Sequence, residues 1–510
     1  MFNYKQYSGK MPNNSMDLLN DVRPKDFTHP LMVVVLGASG DLAKKKTYPA
    51  LFGLYCRELL PQDTLIYGYA RSHIELSEFR KKIGSYLKGD ENKKKAFLDL
   101  CFYHSGAYDK KEAYDEFNKI LVDAESKMVK GSNNRLFYMA IPPSIFIDVA
   151  KGIKGSLISS SGWSRVIVEK PFGRDLASSR ELISELKKLF PEKDLFRIDH
   201  YLGKEMVQNL MVLRFANAVF EPLWSKSHIS SISITFKEDI GTEGRGGYFD
   251  QFGIIRDVMQ NHLLQVLSLV AMEPPVSMSA EDITNEKVKL LRSIQPLRLD
   301  ELVLGQFVGS KDGKYPGYLD DEGVPKDSKT ATFASQVFHV NNPRWRGIPF
   351  ILKCGKALDQ RKTEIRIQFK GPDNFLFSDV DRNELVMRIQ PGEAVYLKLL
   401  SKKPGLNNTI EQTELDLSYR SRFENLDLPD AYERLILDSI RGDHNLFVRD
   451  DELDVAWQIF TPLLEQIESL KVIPEKYEFG TRGPASADEL AQKMGYVRSK
   501  QYSWPGQSKF

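Results

Sequence analysis

Six consecutive residues, Asp199-His-Tyr-Leu-Gly-Lys204, bring an acid, an imidazole, a phenol and an ammonium into one short stretch. They lie inside Arg197-Ile-Asp-His-Tyr-Leu-Gly-Lys-Glu205. A cation, an imidazole and a phenol at a helix start would grip a phosphate, because the helix N-terminus adds unpaired N–H groups to their donors. If the chain turns helical there, 3.6 residues per turn puts His200 and Lys204 on nearly one face with Tyr201 beside them. The same stretch also reads as a solvated helix start with Asp199 as its N-cap.

A second dense stretch runs from Phe236 through Gly241-Thr-Glu-Gly-Arg-Gly-Gly-Tyr-Phe-Asp250 to Arg256-Asp-Val-Met-Gln-Asn-His262. Its clustered glycines imply backbone passing close to something. Oxidising an alcohol requires removal of the hydroxyl proton as hydride leaves. A histidine with a pKa near the working pH suits that task when a carboxylate fixes its tautomer. His262 has several acids within reach in sequence, Asp257 among them; a lone helix histidine also reads as structural. In Glu169-Lys-Pro-Phe-Gly173, the proline keeps Lys170 out of helical geometry, so its side chain is aimed from a rigid turn. A cis Lys170–Pro171 bond is expected, and a plain surface-loop lysine is the alternative.

These groups need a frame. Leu31-Met-Val-Val-Val-Leu36 is a short continuous apolar run, as in a strand buried on both faces of a parallel sheet. It enters Gly37-Ala38-Ser39-Gly40-Asp41-Leu42-Ala43, then Lys44-Lys-Lys46 and a helix-like segment to Leu60. Glycines there let backbone approach a pyrophosphate, although tight strand–helix packing would also explain them. The spacing is a looser variant of G-x-G-x-x-G. Further strands are expected at Leu65–Ala70, Leu136–Ile141, Val166–Glu169 and Leu195–Ile198, with helix-like stretches between them. Pro142-Pro143 and Pro171 fall at strand ends, the carboxyl edge where such sheets bind ligands. At the end of the second strand stands Arg71 where NAD-binding folds usually carry an acid; an arginine suits a 2′-phosphate, and Lys45 and Lys46 add positive potential.

After Glu205 the pattern becomes period two. Ile232, Ile234 and Phe236 alternate with polar residues, as do Ile365, Ile367 and Phe369, then Leu385, Met387 and Ile389, then Val395, Leu397 and Leu399. Strands with two unlike faces indicate a mainly antiparallel sheet. Gly309 to Ser328 reads as a surface loop. Helices are expected near Ala431–Arg441 and within Asp451–Leu470, where Pro462 should end or kink the second. The division is therefore a polar, mobile arm over 1–28, a Rossmann-like coenzyme domain over 29–199, and a larger α+β substrate and dimerisation domain over 200–510. No internal repeat stands out.

At 510 residues the chain is too long for one ordinary core. A formal net charge of +2 gives no reason to expect nucleic acid or an anionic membrane as partner. Cys56, Cys101 and Cys354 cannot all pair, and no metal-ligand spacing joins them, so reduced thiols and a cytoplasmic location are expected, with no metal. No apolar run is long enough to span a bilayer, and Met1 to Lys10 lack the apolar core of a signal peptide. Ser508-Lys509-Phe510 loosely resembles a peroxisomal address, the minor alternative.

Taken together, the glycine turn, Glu169–Gly173, Arg197–Glu205, Gly241–Asp250 and Arg256–His262 resemble the glucose-6-phosphate dehydrogenase family from about residue 30 to the C-terminus. The nine-residue Arg197–Glu205 motif is very specific to it. The resemblance implies oxidation of glucose 6-phosphate at C1 with hydride transfer to NADP⁺. By motif, His262 is then the general base and Asp199 orients it. His200, Tyr201 and Lys204 hold the phosphate. Lys170, Glu238 and Asp257 surround the sugar hydroxyls, and Lys356, Arg361 and Gln390 match further substrate positions. Gly37 to Leu42, Arg71, Lys170 and Phe146 match the coenzyme side, Phe146 standing where relatives carry tyrosine. Some eukaryotic members hold a second, structural NADP⁺, and Lys353, Lys362, Arg366, Arg388, Tyr396, Lys398, Asp416, Arg482 and Trp504 match that site. Two departures are Lys353 in place of arginine and Arg498 in place of tyrosine; lysine lacks arginine's fork. A homodimer or homotetramer is implied. The competing readings are another NAD(P)-linked sugar or polyol oxidoreductase, for which the phosphate grip would be superfluous, and a catalytically silent NADP(H) sensor, which would not need His262 and Asp199.

Overall fold

The computed structural model describes residues 29–128, 131–373, 375–377, 380–419 and 428–498. The arm over residues 1–28, Trp504 and Ser508–Phe510 lie outside them. Two sheets organise the chain. The first is parallel and six-stranded: β1 (Leu31–Leu36), β2 (Thr64–Ala70), β3 (Cys101–Ser105), β4 (Asn134–Met139), β5 (Ser164–Glu169) and β6 (Leu195–Ile198), in the order β3-β2-β1-β4-β5-β6. All six residues of β1 are buried, as expected for a central strand covered on both faces. β3 gave no apolar run in the sequence because it is the edge strand, and four of its five residues are only half-buried.

The order reverses between β1 and β4, which creates a crevice at the carboxyl ends of the strands. The glycine turn after β1 opens onto it. Gly37 has φ +84, and a Cβ there would stand 2.2 Å from the Ala140 carbonyl oxygen, so only glycine fits. Gly68 on β2 serves the same packing from below, since a Cβ there would meet the Ala38 methyl at 2.7 Å.

The second sheet has nine strands in the order β14-β13-β12-β11-β7-β10-β9-β8-β15. Its members are β7 (Ile229–Lys237), β8 (Leu302–Val308), β9 (Phe333–His339), β10 (Pro349–Gly355), β11 (Lys362–Phe369), β12 (Glu384–Gln390), β13 (Ala394–Lys402), β14 (Ile410–Ser418) and β15 (Glu475–Glu478). Only the β7–β10 and β8–β15 pairs are parallel. The period-two runs fall on β7, β11, β12 and β13. Ile232, Ile234, Ile365, Ile367, Leu385 and Met387 face the core, and the alternate residues form a polar second face.

Helices behave less simply. Asp450–Ser469 is one helix that continues through Pro462, contrary to a helix end there. The missing N–H is tolerated because Ile459, Phe460, Leu463 and Leu464 on either side are buried in the core. Helix Ala431–Arg441 returns to the first sheet: Leu435, Ile436 and Ile440 share a hydrophobic cluster with Val33, Val35, Ile66 and Ile198. The coenzyme sheet is thus covered by residues from both sides of position 199. Among the described residues, no helix is long and apolar enough to cross a membrane.

Leu435 is fully enclosed under the parallel sheet, so Leu435→Ala should destabilise the protein by about 2–5 kcal/mol. Chemical denaturation checks this; a loss below about 1 kcal/mol would mean that the helix merely rests on the sheet.

Candidate functional site

The Asp199–Lys204 stretch leaves the end of β6 at the carboxyl edge. It is a turn, not the helix its spacing suggested: Leu202 N donates to Asp199 O at 3.0 Å and Lys204 N to Tyr201 O at 3.1 Å. The helix begins only at Glu205, with Lys204 as its N-cap. Asp199 does cap, but it caps this turn, accepting Tyr201 N on Oδ1 at 2.9 Å.

His262 reaches the same point from the other side. Ile255–Leu263 is wound as a π-helix before the chain relaxes to an α-helix over Leu264–Ala271. Such windings are rare and gather at functional sites. In an α-helix Asp257 and His262 would point about 140° apart; the i→i+5 repeat draws them toward one side. His262 Nδ1 lies 2.6 Å from Asp199 Oδ1, with both side chains about 3% exposed. Burial lowers the histidine's pKa below its usual value, against the pull of Asp199. Burial also opposes ionisation of Asp199, yet His262 and the Tyr201 N–H hold its carboxyl below the usual range. The pair is therefore a neutral imidazole on a carboxylate near pH 7.

Around this pair lie two groups of charges. In the first, Lys170 Nζ donates to Asp257 O at 2.7 Å and Oδ1 at 2.9 Å. The Lys170–Pro171 bond is cis, as expected, and Gln390–Pro391 is cis as well. Lys356 Nζ lies 2.5 Å from Glu238 Oε2 and 3.9 Å from Asp257 Oδ2. Although burial opposes it, the two lysines hold the Asp257 carboxyl down at about 2.

In the second group, Lys204 Nζ donates to Gln390 Oε1 at 2.6 Å, and Gln390 Nε2 donates to the Tyr201 hydroxyl at 3.1 Å. That hydroxyl is also 3.1 Å from Thr363 Oγ1. Lys204 stands 5.1 Å over the Tyr201 ring, which also stacks on His262 at 4.6 Å and meets the His200 ring edge-on at 5.0 Å. The His200 ring packs on His262 at 4.5 Å and on Tyr432 at 5.8 Å. Burial and the nearby cations keep His200 well below its ordinary pKa. Arg361 is exposed at the rim. This concentration of positive charge has a neutral amide at its centre, so it is suited to an anion. Asp199, His200 and His262 also present ligand atoms within 4.8 Å of one another. The Nδ1–Oδ1 contact already commits two of those residues to each other, and no sequence feature asks for a cation.

The residues matched to the coenzyme side line the β1 edge. Asp41 is held by Lys44 at 3.2 Å and Lys45 at 2.9 Å, and Arg71 stands 6.0 Å over the Tyr108 ring at the end of β2. The Gly37 cradle and this basic edge fit a dinucleotide phosphate chain. Phe146 does not fit that role. It opens the helix Phe146–Gly152 with its ring wholly enclosed in the core, so no ring face is open to a dinucleotide.

Across the second sheet, the polar face forms a cavity of about 840 Å³. Lys353, Lys362, Arg366, Arg388, Tyr396, Lys398 and Arg482 all line it, and so does Arg498. Eight basic side chains face five carboxylates there. Asp416 lies outside this lining, one strand further out and cross-strand from Tyr396. Sequence reasoning missed Lys237, Gln360 and Asp488; Lys237 could have been found from its place in phase with Ser233 and Thr235.

A coenzyme crevice at a parallel sheet's carboxyl edge, facing a buried imidazole–carboxylate pair, defines a dehydrogenase. Two family models cover nearly all of the chain: "Glucose-6-phosphate dehydrogenase, NAD binding domain" over residues 34–209 and "Glucose-6-phosphate dehydrogenase, C-terminal domain" over 211–504. The chain is 79% identical over 487 residues to glucose-6-phosphate 1-dehydrogenase of Dictyostelium discoideum, covering 95% of this chain and 98% of that protein. A solved glucose-6-phosphate dehydrogenase in complex with its substrate glucose-6-phosphate superposes with a TM-score of 0.89 at 51% identity, covering 93% of this chain and 99% of that one. Glucose-6-phosphate 1-dehydrogenase from Mycobacterium avium gives 0.80 at 34% identity, covering 94% and 100%. The chain belongs to the glucose-6-phosphate dehydrogenase family and is an oxidoreductase with an NAD(P)-binding domain.

Glu169 sits under Lys170, almost wholly buried, and accepts the Tyr138 hydroxyl at 2.5 Å. Burial pushes its carboxyl up to about 7. In the fold it keeps its proton to about pH 7, whereas unfolded it loses it near 4.5, so stability falls as pH rises between those values. Glu169→Gln should leave the melting temperature unchanged below pH 4.5 and raise it above pH 7. A difference independent of pH would refute the assignment.

Proposed function

We propose that this protein oxidises D-glucose 6-phosphate to 6-phospho-D-glucono-1,5-lactone with NADP⁺, the NADPH-generating first step of the pentose phosphate pathway. The observation that carries this reading is the buried 2.6 Å contact between His262 and Asp199, placed one residue from the His200–Lys204 cation cluster. With Nδ1 committed to Asp199, Nε2 is the atom left to take the C1 hydroxyl proton. Asp199 remains ionised and stabilises the imidazolium that forms. Lys170, Asp257, Glu238 and Lys356 orient the sugar hydroxyls through the ion-pair network that links them. Lys204, His200, Tyr201, Arg361 and Gln390 hold the phosphate; the dianion would raise the pKa of His200 and recruit it as a donor. NADP⁺, when bound, accepts the hydride. Gly37 to Leu42 would hold its pyrophosphate, Arg71 its 2′-phosphate, and Lys170 would stand near its nicotinamide. The boundary at 199/200 separates these tasks, coenzyme before it and most substrate contacts after it.

The phosphate grip favours this reading over an unphosphorylated sugar, and the intact proton-transfer pair favours it over a silent sensor. The cytoplasm is the location we assign, supported by three free thiols. A homo-oligomer is supported by the edge strand β14, which exposes Leu415 and Leu417. NADPH absorbance, with glucose and NAD⁺ as controls, tests the reaction. His262→Asn should lower kcat by about 10²–10⁴-fold and leave sugar-phosphate binding nearly intact. Lys204→Ala should instead raise the KM for glucose 6-phosphate at least about tenfold. The reverse pattern would mean that the two roles are exchanged.

A second, structural NADP⁺ in the cavity of β7, β11, β12 and β13 is the finer part of the proposal. It is supported by the excess of cations there and by Glu364, whose carboxyl Arg366 and Lys362 hold well below its usual range against its burial. Added NADP⁺ at about 100 times its Kd should stabilise the protein by about 2.7 kcal/mol. Arg71→Ala, which weakens the coenzyme site, should keep most of that gain in Tm, and adding Arg366→Ala to it should remove the gain. A Tm response in the double variant equal to that of Arg71→Ala would remove the second site.

A further inference from the structure

We propose that a single buried water molecule braces Asp199 on the side away from His262, and that Gln265 is the positioning residue that holds this water. The inference rests on the proton-transfer role assigned above to Asp199 and His262. Asp199 Oδ1 has two donors, His262 Nδ1 at 2.6 Å and Tyr201 N at 2.9 Å. Its second oxygen, Oδ2, is buried and has no donor among the described residues. A buried carboxylate oxygen without a donor is destabilising.

Asp199 also lines a cavity of about 20 Å³, whose other polar lining residues are Lys170, Gln260, Asn261 and Gln265 and whose wall includes Leu453 and Ala456. One water needs about 10–15 Å³ by this measure, so the space suits one water and no organic ligand. Gln265 follows His262 by three residues. Its Nε2 donates to Glu452 Oε1 at 2.8 Å, and Glu452 in turn is paired with Lys287 at 2.7 Å, all of them buried. That anchor fixes the amide, because a flipped Gln265 would set its oxygen against the Glu452 carboxylate. Gln265 Oε1 is consequently a second buried acceptor without a donor. Two acceptors that lack donors thus belong to residues lining one cavity of one-water size, and a water has two O–H groups to give. The resulting chain runs from Asp199 through water, Gln265 and Glu452 to Lys287.

The water stops the carboxylate from swinging about its Cβ–Cγ bond, which keeps Oδ1 aimed at His262. It also stabilises the ionised carboxylate. Without it the pair binds its proton more tightly, so the base form is lost at a higher pH.

Two variants and one structure test this. Ala456→Val fills the cavity with methyl groups and removes no donor or acceptor of the pair or of the Gln265–Glu452 bond. Gln265→Met keeps the volume and removes the acceptor. Each should lower kcat about tenfold, change the KM for glucose 6-phosphate less than about twofold, and move the acid limb of kcat/KM upward by about half a pH unit or more. A crystal structure of the unmodified enzyme at about 2 Å or better should show density within hydrogen-bond distance of Asp199 Oδ2 and Gln265 Oε1, lost in Ala456→Val. Absence of that density, or folded variants with unaltered kcat and pH profile, would overturn the proposal. If Gln265→Met fails to fold, Ala456→Val and the density decide. An enzyme with the water in place but inert toward glucose 6-phosphate would refute the functional reading and leave the water site standing.

Discussion

The contact between Asp199 and His262 is the constraint to which the rest of the molecule answers. An unpaired carboxylate at that depth would be strongly destabilised; paired and hydrogen-bonded, it persists only while both partners are held to within a few tenths of an ångström. Asp199 belongs to the end of the parallel sheet and His262 to the π-helix packed on the second sheet. Neither sheet can shift against the other without breaking the pair. The shared hydrophobic cluster that runs from β1 and β4 to β7, β11 and β12 supplies that rigidity.

Charge is then distributed around this fixed point by chemistry. On one side Lys170 and Lys356 are matched by Asp257 and Glu238, which gives a polar but balanced surface for hydroxyl groups. On the other, Lys204 is held by the Gln390 amide, so its charge stays available to an anion. The same economy of alternation builds the second cavity. Strands that bury isoleucine and leucine on one face place lysine and arginine on the next residue, and four adjacent strands doing so assemble a cationic pocket without any local motif.

Much of this was legible in the chain. The continuous apolar run of β1 and the alternation along β7, β11, β12 and β13 depend on which faces are buried, and burial writes itself into hydrophobic period. The glycine turn, Lys170 before its proline and the pairing of Asp199 with His262 were named from residue type and family resemblance. What escaped has physical causes. The π-winding that draws Asp257 toward His262 has no local signature, since it is imposed by packing. Asp199–Lys204 carries helix-like spacing but closes as a turn, because Asp199 Oδ1 captures the Tyr201 N–H first. Phe146 was placed by analogy with a tyrosine, and without the hydroxyl its ring has no reason to leave the core. Gln265 did leave a trace, as an amide inside the apolar run Leu263-Leu-Gln-Val-Leu.

The helix Ala431–Arg441 also carries a consequence for synthesis. It completes one face of a sheet whose last strand ends at Ile198, a face that helix Tyr48–Cys56 with Phe79 and Phe97 covers in part, so the rest of that apolar face stays uncovered while the intervening chain is made. At about 5–20 residues per second, that interval is on the order of ten to fifty seconds. During it that face of the nascent coenzyme domain has Leu51, Phe52, Phe79 and Phe97 against Val33, Val35 and Ile66 but lacks Leu435, Ile436 and Ile440. A fragment ending near residue 200 would remain permanently in that state. The two halves of this protein are thus joined in biogenesis as tightly as in chemistry, and the first cannot be completed before the second has almost been translated.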